Sequence, residues 1–147
     1  MTNSNRFRIA AGTLIGYNIL GTLLTWAAHL QKPGTGAANA VTGGTQFTGP
    51  LIIVAIAVVA LAVTFSDRRR VALTGVFLLA LFGVGFAFGE VTELFEHNVG
   101  ISAGRWDVVL AGSVIGAVIG IATAALAVAG LAARRRAARP VPQQTAN

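Results

Sequence analysis

The sequence contains no cysteine, and only 11% of its 147 residues are charged. The missing thiols exclude disulfide bonds, thiolate nucleophiles and thiolate metal sites. A soluble domain of this size usually has about 25% charged residues, because its surface must face water. With 54% hydrophobic residues and a mean hydropathy of +0.72, the chain has too little polar material to cover a water-soluble globule. The composition therefore predicts an integral membrane protein.

Common catalytic motifs are also missing from the sequence. It has no H-E-x-x-H zinc-protease motif, no P-loop and no G-x-S-x-G nucleophile elbow. The connections between the apolar runs are too short to hold a substrate domain. We therefore expect no enzymatic activity and no cofactor.

Most of the sequence falls into four apolar runs. A helix rises about 1.5 Å per residue, so about 20 residues cross a hydrocarbon core of about 30 Å. We predict an all-α, integral membrane four-helix bundle with up-down-up-down topology. Residues 1–8 form a leader, residues 9–133 a single transmembrane domain and residues 134–147 a disordered basic tail. The predicted spans are residues 9–30, 50–66, 71–95 and 108–133.

The first run has an alternative interpretation as a signal peptide, since Ala38, Asn39 and Ala40 fit a cleavage site. A retained helix is favoured, because the run exceeds the 7–15 apolar residues of a signal core. Residues 31–49 are rich in Gly, Thr, Asn and Ala and are predicted to be a flexible connector. Thr48 and Gly49 are candidate caps for the second helix, with Pro50 in its first turn.

Basic residues are distributed unevenly about these spans. Nine arginines fall on one side of the bundle, and only Lys32 and Arg105 fall on the other. The positive-inside rule therefore places both termini in the cytoplasm, in a multi-pass protein of the plasma membrane. Trp26 and Trp106 then lie at the outer interface, where indole rings are enriched.

The arginines occur in short clusters at the ends of apolar runs. This position indicates contact with the lipid bilayer and its anionic headgroups at the cytoplasmic face, rather than with nucleic acid, despite the net charge of +6. The residues assigned to this role are Arg68, Arg69, Arg70, Arg134, Arg135 and Arg136.

Two spans carry stripes of small or polar residues on one helical face. Asn18, Thr22 and Thr25 form a polar stripe on the first span, which marks either helix packing or an intramembrane site. On the fourth span, Gly112, Gly116 and Gly120 form a doubled G-x-x-x-G. This seam packs either inside one bundle or against a second copy or another membrane protein.

A cluster of Glu and His residues ends the third span. Glu90, Glu93 and His97 share one helical arc, and His29 ends the polar stripe of the first span. Together they could bind a divalent metal such as zinc, manganese or iron, or form a proton relay. Arg105 and Asp107 are candidate outer partners. The alternative is that these residues only mark a solvated helix end, and that interpretation has the greater weight.

Small multidrug-resistance transporters are similar to this chain in size and number of spans. They carry a glutamate in their first span, where this chain has Asn18 and no acidic residue. We recognise no family. The sequence favours a non-catalytic membrane bundle that packs with itself or with a membrane partner. The alternative is an ion or small-solute transporter, or a metal-binding membrane protein, that uses the Glu/His cluster.

Overall fold

The computed structural model describes residues 3–27, 39–45, 48–95 and 103–137. Within these ranges all regular structure is helical, which agrees with the predicted class. The helices are α1 (Asn3–Ala27), α2 (Asn39–Thr42), α3 (Leu51–Val63), α4 (Arg69–Phe95) and α5 (Ala103–Ala137).

Three helices in the described part of the chain are long and apolar enough to cross a membrane: α1, α4 and α5. The second apolar run forms a shorter helix than predicted. The 13 residues of α3 extend about 20 Å, well short of a hydrocarbon core of about 30 Å. It begins after Pro50, which cannot donate a backbone hydrogen bond, and it ends at a turn where the Thr64 hydroxyl donates to the Leu61 carbonyl.

Neighbouring helices run in opposite directions. Arg8 near the start of α1 donates to the Thr64 carbonyl after α3, whereas Asn18 further along α1 meets Gly49 before α3. Helix α4 runs antiparallel to α3, and its most extensive contact is with α5. The result is the predicted up-down-up-down order, with α3 as a short second member.

The interior of the bundle is filled mainly by small side chains, together with Phe7, Ile15 and Leu79. Many large apolar side chains point outward instead. Leu24 is 64% exposed and Phe88 is 70% exposed. A soluble monomer rarely presents a continuous apolar surface of this kind.

The fifth helix is longer than the predicted fourth span. It begins at Ala103, five residues before the predicted start at residue 108. It also continues beyond residue 133 through Arg134, Arg135 and Arg136 to Ala137. Residues 138–147 of the predicted tail lie outside the described residues.

Candidate functional site

The Glu90 side chain on α4 is only 4% exposed. Its interpretation as part of a solvated helix end was therefore wrong. Glu90 faces α5, where Gly116 provides the necessary space. A β-carbon placed on Gly116 would lie 3.2 Å from Glu90 Cδ, 3.1 Å from Tyr17 Cε1 and 3.0 Å from Phe86 Cε1. Three helices thus meet at the Glu90 carboxyl group.

Tyr17 packs beside Glu90 and contacts both α4 and α5. Its hydroxyl donates a 2.6 Å hydrogen bond to the Gly112 carbonyl, which ties α1 to α5. Its ring packs edge-to-face against Phe86 with a centroid distance of 5.9 Å. Aromatic pairs of this geometry contribute about 0.5–1.5 kcal/mol beyond the area they bury. Glu90 therefore lies beside a Tyr17 side chain that is fixed by its hydroxyl at Gly112 and by its ring at Phe86.

A cavity of about 550 Å³ lies between α3 and α4, and Glu90 is part of its lining. Volumes of this size are typical of sites that bind drug-sized molecules. The polar lining consists of Glu90 with Thr45, Thr48 and Thr92. Most of the remaining lining is apolar: Pro50, Ile53, Ile56, Ala57, Ala60, Leu78, Leu81, Phe82 and Phe86.

The cavity opens sideways, between the two helices. Ile53 and Ile56 on α3 are 45% and 55% exposed, and Leu81 on the facing side of α4 is 53% exposed. At the opposite end the two helices touch, since a β-carbon on Gly75 would lie 2.6 Å from the Ala60 carbonyl oxygen. The cavity is therefore a lateral groove, closed near Gly75 and polar near Glu90.

The polar stripe on α1 is fully buried and carries a local hydrogen bond at each position. Asn18 donates to the Leu14 carbonyl, Thr22 to the Asn18 carbonyl and Thr25 to the Gly21 carbonyl, at 2.8–2.9 Å. These bonds are ordinary within helices. Asn18 and Thr22 also make hydrogen bonds outside α1.

The same side chains also hold the segment before α3. Thr48 Oγ1 lies 2.9 Å from Thr22 Oγ1 and 2.7 Å from Thr45 Oγ1. A hydroxyl has one proton to donate. Because Thr22 donates to its own helix, a consistent assignment has Thr45 donating to Thr48 and Thr48 donating to Thr22. Asn18 Oδ1 also accepts from the Gly49 backbone N–H at 3.2 Å.

The expectation of a flexible connector was wrong for this segment. Thr45 and Thr48 are buried, and Thr45 N–H donates to the Thr48 carbonyl at 2.8 Å. Gly44 has a φ of +78°, which favours glycine, and its β-carbon would clash with the Thr48 carbonyl. Thr48 does not cap α3, since Pro50 occupies the N-cap without a side-chain bond. Thr45 and Thr48 are therefore ordered residues of the groove lining.

The glycine seam of α5 packs inside the chain. Gly116 faces Tyr17, Phe86 and Glu90, as described above. A β-carbon on Gly120 would lie 2.7 Å from the Gly83 carbonyl oxygen of α4. These surfaces of Gly116 and Gly120 are covered, so they offer no seam to a second copy in this arrangement.

Several predicted site residues are not placed. His29 and His97 lie outside the described residues, as does the Glu93 side chain. Within the described part of the chain, no group of three His, Cys, Asp or Glu residues is positioned to hold a metal ion. The four-residue metal or relay site therefore stays a prediction. Asp107 is exposed on α5, and the Arg105 side chain is not described.

The arginine clusters are placed only in part. Arg68, Arg69 and Arg70 are exposed where the turn after α3 leads into α4. The second cluster lies on α5, and its side chains are not described.

Sequence reasoning missed Tyr17, Thr45, the contact of Thr48 with α1 and the groove itself. Thr45 and Thr48 are spaced as a turn before Gly49 and Pro50, which is a signal for ordered structure. Nothing in the sequence pairs that turn with α1. No protein-family model, curated protein or solved structure matches this chain, so the interpretation of the site depends on its own geometry.

Proposed function

We propose that this chain is an integral membrane transporter for a small cationic solute, with Glu90 as the carboxylate that binds it. The observation that carries the proposal is the burial of Glu90 at the polar end of a lateral, mostly apolar groove. A carboxylate in apolar surroundings is costly, and such residues in membrane helices commonly mark ion or substrate pathways.

Membrane insertion is supported by the three long apolar helices and by the outward-facing apolar side chains. Leu24, Val59 and Val128 are each more than 60% exposed, as expected of side chains that contact lipid.

The arginines support a cytoplasmic location for both termini, in the plasma membrane. Arg6 and the turn at residues 68–70 lie at the same end of the bundle, because Arg8 reaches Thr64.

Transport, rather than simple binding, is supported by the incomplete length of α3. In the proposed orientation it starts near the middle of the bilayer, where Gly49 meets Asn18, and ends at the cytoplasmic face, where Arg8 meets Thr64. In the non-helical segment before it, the Gly49 N–H donates to Asn18 Oδ1 and the Thr45 N–H donates to the Thr48 carbonyl, as backbone at membrane depth requires. Discontinuous helices beside a substrate site are typical of transporters.

Self-association or pairing with another membrane protein stays a prediction. The seam that motivated it contacts α1 and α4 of the same chain, and no other surface in the described residues favours one partner. Anionic lipid is a proposed contact for the exposed Arg68, Arg69 and Arg70.

Thermal unfolding of the purified protein in detergent tests cation binding at Glu90. Chlorides of sodium, zinc, tetramethylammonium and tetraphenylphosphonium are compared at constant ionic strength. A ligand that binds only the folded state stabilises it by about 2.7 kcal/mol at 100 times its Kd. We expect at least one cation to raise Tm in the wild type and in Asp107→Asn, whose carboxylate is exposed, but not in Glu90→Gln. The absence of any Glu90-dependent rise would refute the proposed function.

A further inference from the structure

Among the arginine side chains that the structure describes, Arg8 alone is held in place by contacts with other residues. We propose that Arg8 is the centre of a binding site for the phosphate group of an anionic phospholipid, at the end of the bundle assigned to the cytoplasm. Phe65 supports the guanidinium, and the exposed arginines of the turn after α3 add positive charge. This inference depends on membrane insertion but not on Glu90 or on transport.

Two contacts orient the Arg8 guanidinium. Its Nη2 donates a 2.6 Å hydrogen bond to the carbonyl of Thr64, the residue that caps the end of α3. The carbonyl groups at the end of a helix carry partial negative charge, so they attract a cation. The Arg8 Cζ also lies over the Phe65 ring, 4.1 Å from its centroid, which is a distance typical of cation–π contacts. Arg8 is therefore positioned before any ligand binds.

The Arg8 side chain is half-buried and keeps hydrogen-bond donors for a ligand. A guanidinium has five N–H donors, and the bond to Thr64 uses one of them. Because Nε is covered by protein, we assign the contact with the ligand to the remaining N–H groups of Nη1 and Nη2. Paired N–H groups of this kind match the oxygens of a phosphate group.

The surroundings of Arg8 combine apolar and polar surface, as expected at the boundary between hydrocarbon and lipid headgroups. Phe65 is 61% exposed and ends the second apolar run, and the polar residues Ser66 and Asp67 follow it. Ile9, the neighbour of Arg8 on α1, is 54% exposed. Lipid headgroups lie directly outside the hydrocarbon core. A phospholipid can therefore place its phosphate at Arg8 and its acyl chains against Ile9 and Phe65, whereas a soluble phosphate gains nothing from those side chains.

The charge at this end of the bundle is complementary to an anionic lipid. Of the five acidic residues in the sequence, only Asp67 lies in the turn beside Arg8, and no carboxylate among the described residues pairs with Arg8. Residues 1–2 and 138–147, which flank α1 and α5 at this end, contain no acidic side chain. The other four acidic residues occur on or after the last turns of α4 and near the start of α5: Glu90, Glu93, Glu96 and Asp107.

Native mass spectrometry of the full chain tests the site with matched lipids. Phosphatidylglycerol and phosphatidylcholine with the same acyl chains share the phosphate group, but phosphatidylcholine also carries a cation. We expect the wild type to bind one phosphatidylglycerol about tenfold or more tightly than phosphatidylcholine. The affinity for phosphatidylglycerol should fall about tenfold or more in Arg8→Gln, because a hydrogen bond to a charged group contributes at least this much.

Two further variants separate a fixed site from diffuse attraction. Arg6→Gln removes the same charge from an exposed side chain two residues away, and it should bind like the wild type. Arg8→Lys keeps the charge and can still donate to Thr64, so the fold should be retained, but lysine lacks paired N–H groups. We expect Arg8→Lys to lose about fivefold in affinity, with Arg6→Lys unchanged. This pair decides the question if Arg8→Gln does not fold.

Equal loss of affinity in the Arg6 and Arg8 variants would show diffuse attraction and overturn the site. Wild-type affinity in Arg8→Lys, or equal binding of the two lipids, would also overturn it. Inorganic phosphate should not displace phosphatidylglycerol, and Arg8-dependent displacement would assign the site to a soluble phosphate instead of a lipid. Glu90→Gln should bind phosphatidylglycerol like the wild type, so failure of this inference is distinguishable from failure of cation binding at Glu90.

Discussion

Glu90 Cδ lies 3.2 Å from the point at which a β-carbon on Gly116 would stand. This relationship joins two features that the sequence presents separately, the acidic end of α4 and the glycine seam of α5. The seam allows the bundle to close, and at Gly116 it also leaves room for the carboxyl group of Glu90, a residue of the groove lining.

Replacing Gly116 should affect binding more than folding. In Gly116→Ala the three atoms nearest the added methyl belong to the side chains of Phe86, Tyr17 and Glu90, at 3.0–3.2 Å. These side chains can shift, so we expect the free energy of unfolding to fall by about 1 kcal/mol, near the lower end for overpacking. Displacement of Glu90 should reduce the cation-dependent rise in Tm, measured by thermal unfolding in detergent. An unchanged rise would show that the Gly116 contact does not position the carboxylate.

Replacing Gly120 should affect folding directly. In Gly120→Ala the added methyl would lie 2.7 Å from the Gly83 carbonyl oxygen, and backbone cannot move aside as a side chain does. We expect a loss of about 2–3 kcal/mol, measured by denaturant unfolding in detergent micelles. Gly130→Ala is the matched control on the same helix, because its β-carbon position is open. Equal stabilities for the two variants would contradict the close α4–α5 packing.

The contact between Thr22 and Thr48 should be measurable as a coupling energy. The hydroxyls lie 2.9 Å apart and join α1 to the segment before α3. A double-mutant cycle with Thr22→Val and Thr48→Val should give a coupling of about 0.5–1.5 kcal/mol, the net contribution of a typical intramolecular hydrogen bond. Thr13→Val is the control, since exposed Thr13 donates only to its own helix, at Ile9. A coupling near zero would contradict the assigned bond.

The absence of cysteine makes topology directly measurable with single-cysteine variants. Val41 on α2 is 46% exposed, and Asp67 is exposed in the turn after α3. In right-side-out membrane vesicles, an impermeant maleimide should label Val41→Cys at once and Asp67→Cys only after permeabilisation. The reverse pattern would invert the proposed orientation. Labelling of both in sealed vesicles would contradict a membrane-spanning arrangement.

The sequence predicted the helical class and the buried face of α1, because apolar runs and helical periodicity are local properties. Asn18, Thr22 and Thr25 share one face by spacing alone, and that face is the buried one. The glycine seam was visible for the same reason. The sequence did not decide whether this seam packs within the chain or against a second copy.

The rest depended on contacts between distant parts of the chain. Glu90 was expected to be solvated because it lies near the end of an apolar run, and this expectation was wrong because its side chain is buried. Its burial depends on Gly116 and Tyr17, which are 26 and 73 residues away in the sequence. The length of α3 was overestimated because residues flanking an apolar run look similar whether they continue the helix or form a turn. The groove exists only between two helices, so neither helix predicts it alone.

The central claim is that Glu90 faces a groove reached from hydrocarbon rather than from water. Carbodiimide labelling of native membranes, read by mass spectrometry of the modified peptides, tests it most directly. The membrane-soluble reagent dicyclohexylcarbodiimide should modify Glu90, and tetraphenylphosphonium should slow that reaction. A water-soluble carbodiimide should modify exposed Asp67 while leaving Glu90 intact. Modification of Glu90 by the water-soluble reagent as fast as Asp67, or no modification by the membrane-soluble reagent, would contradict the claim.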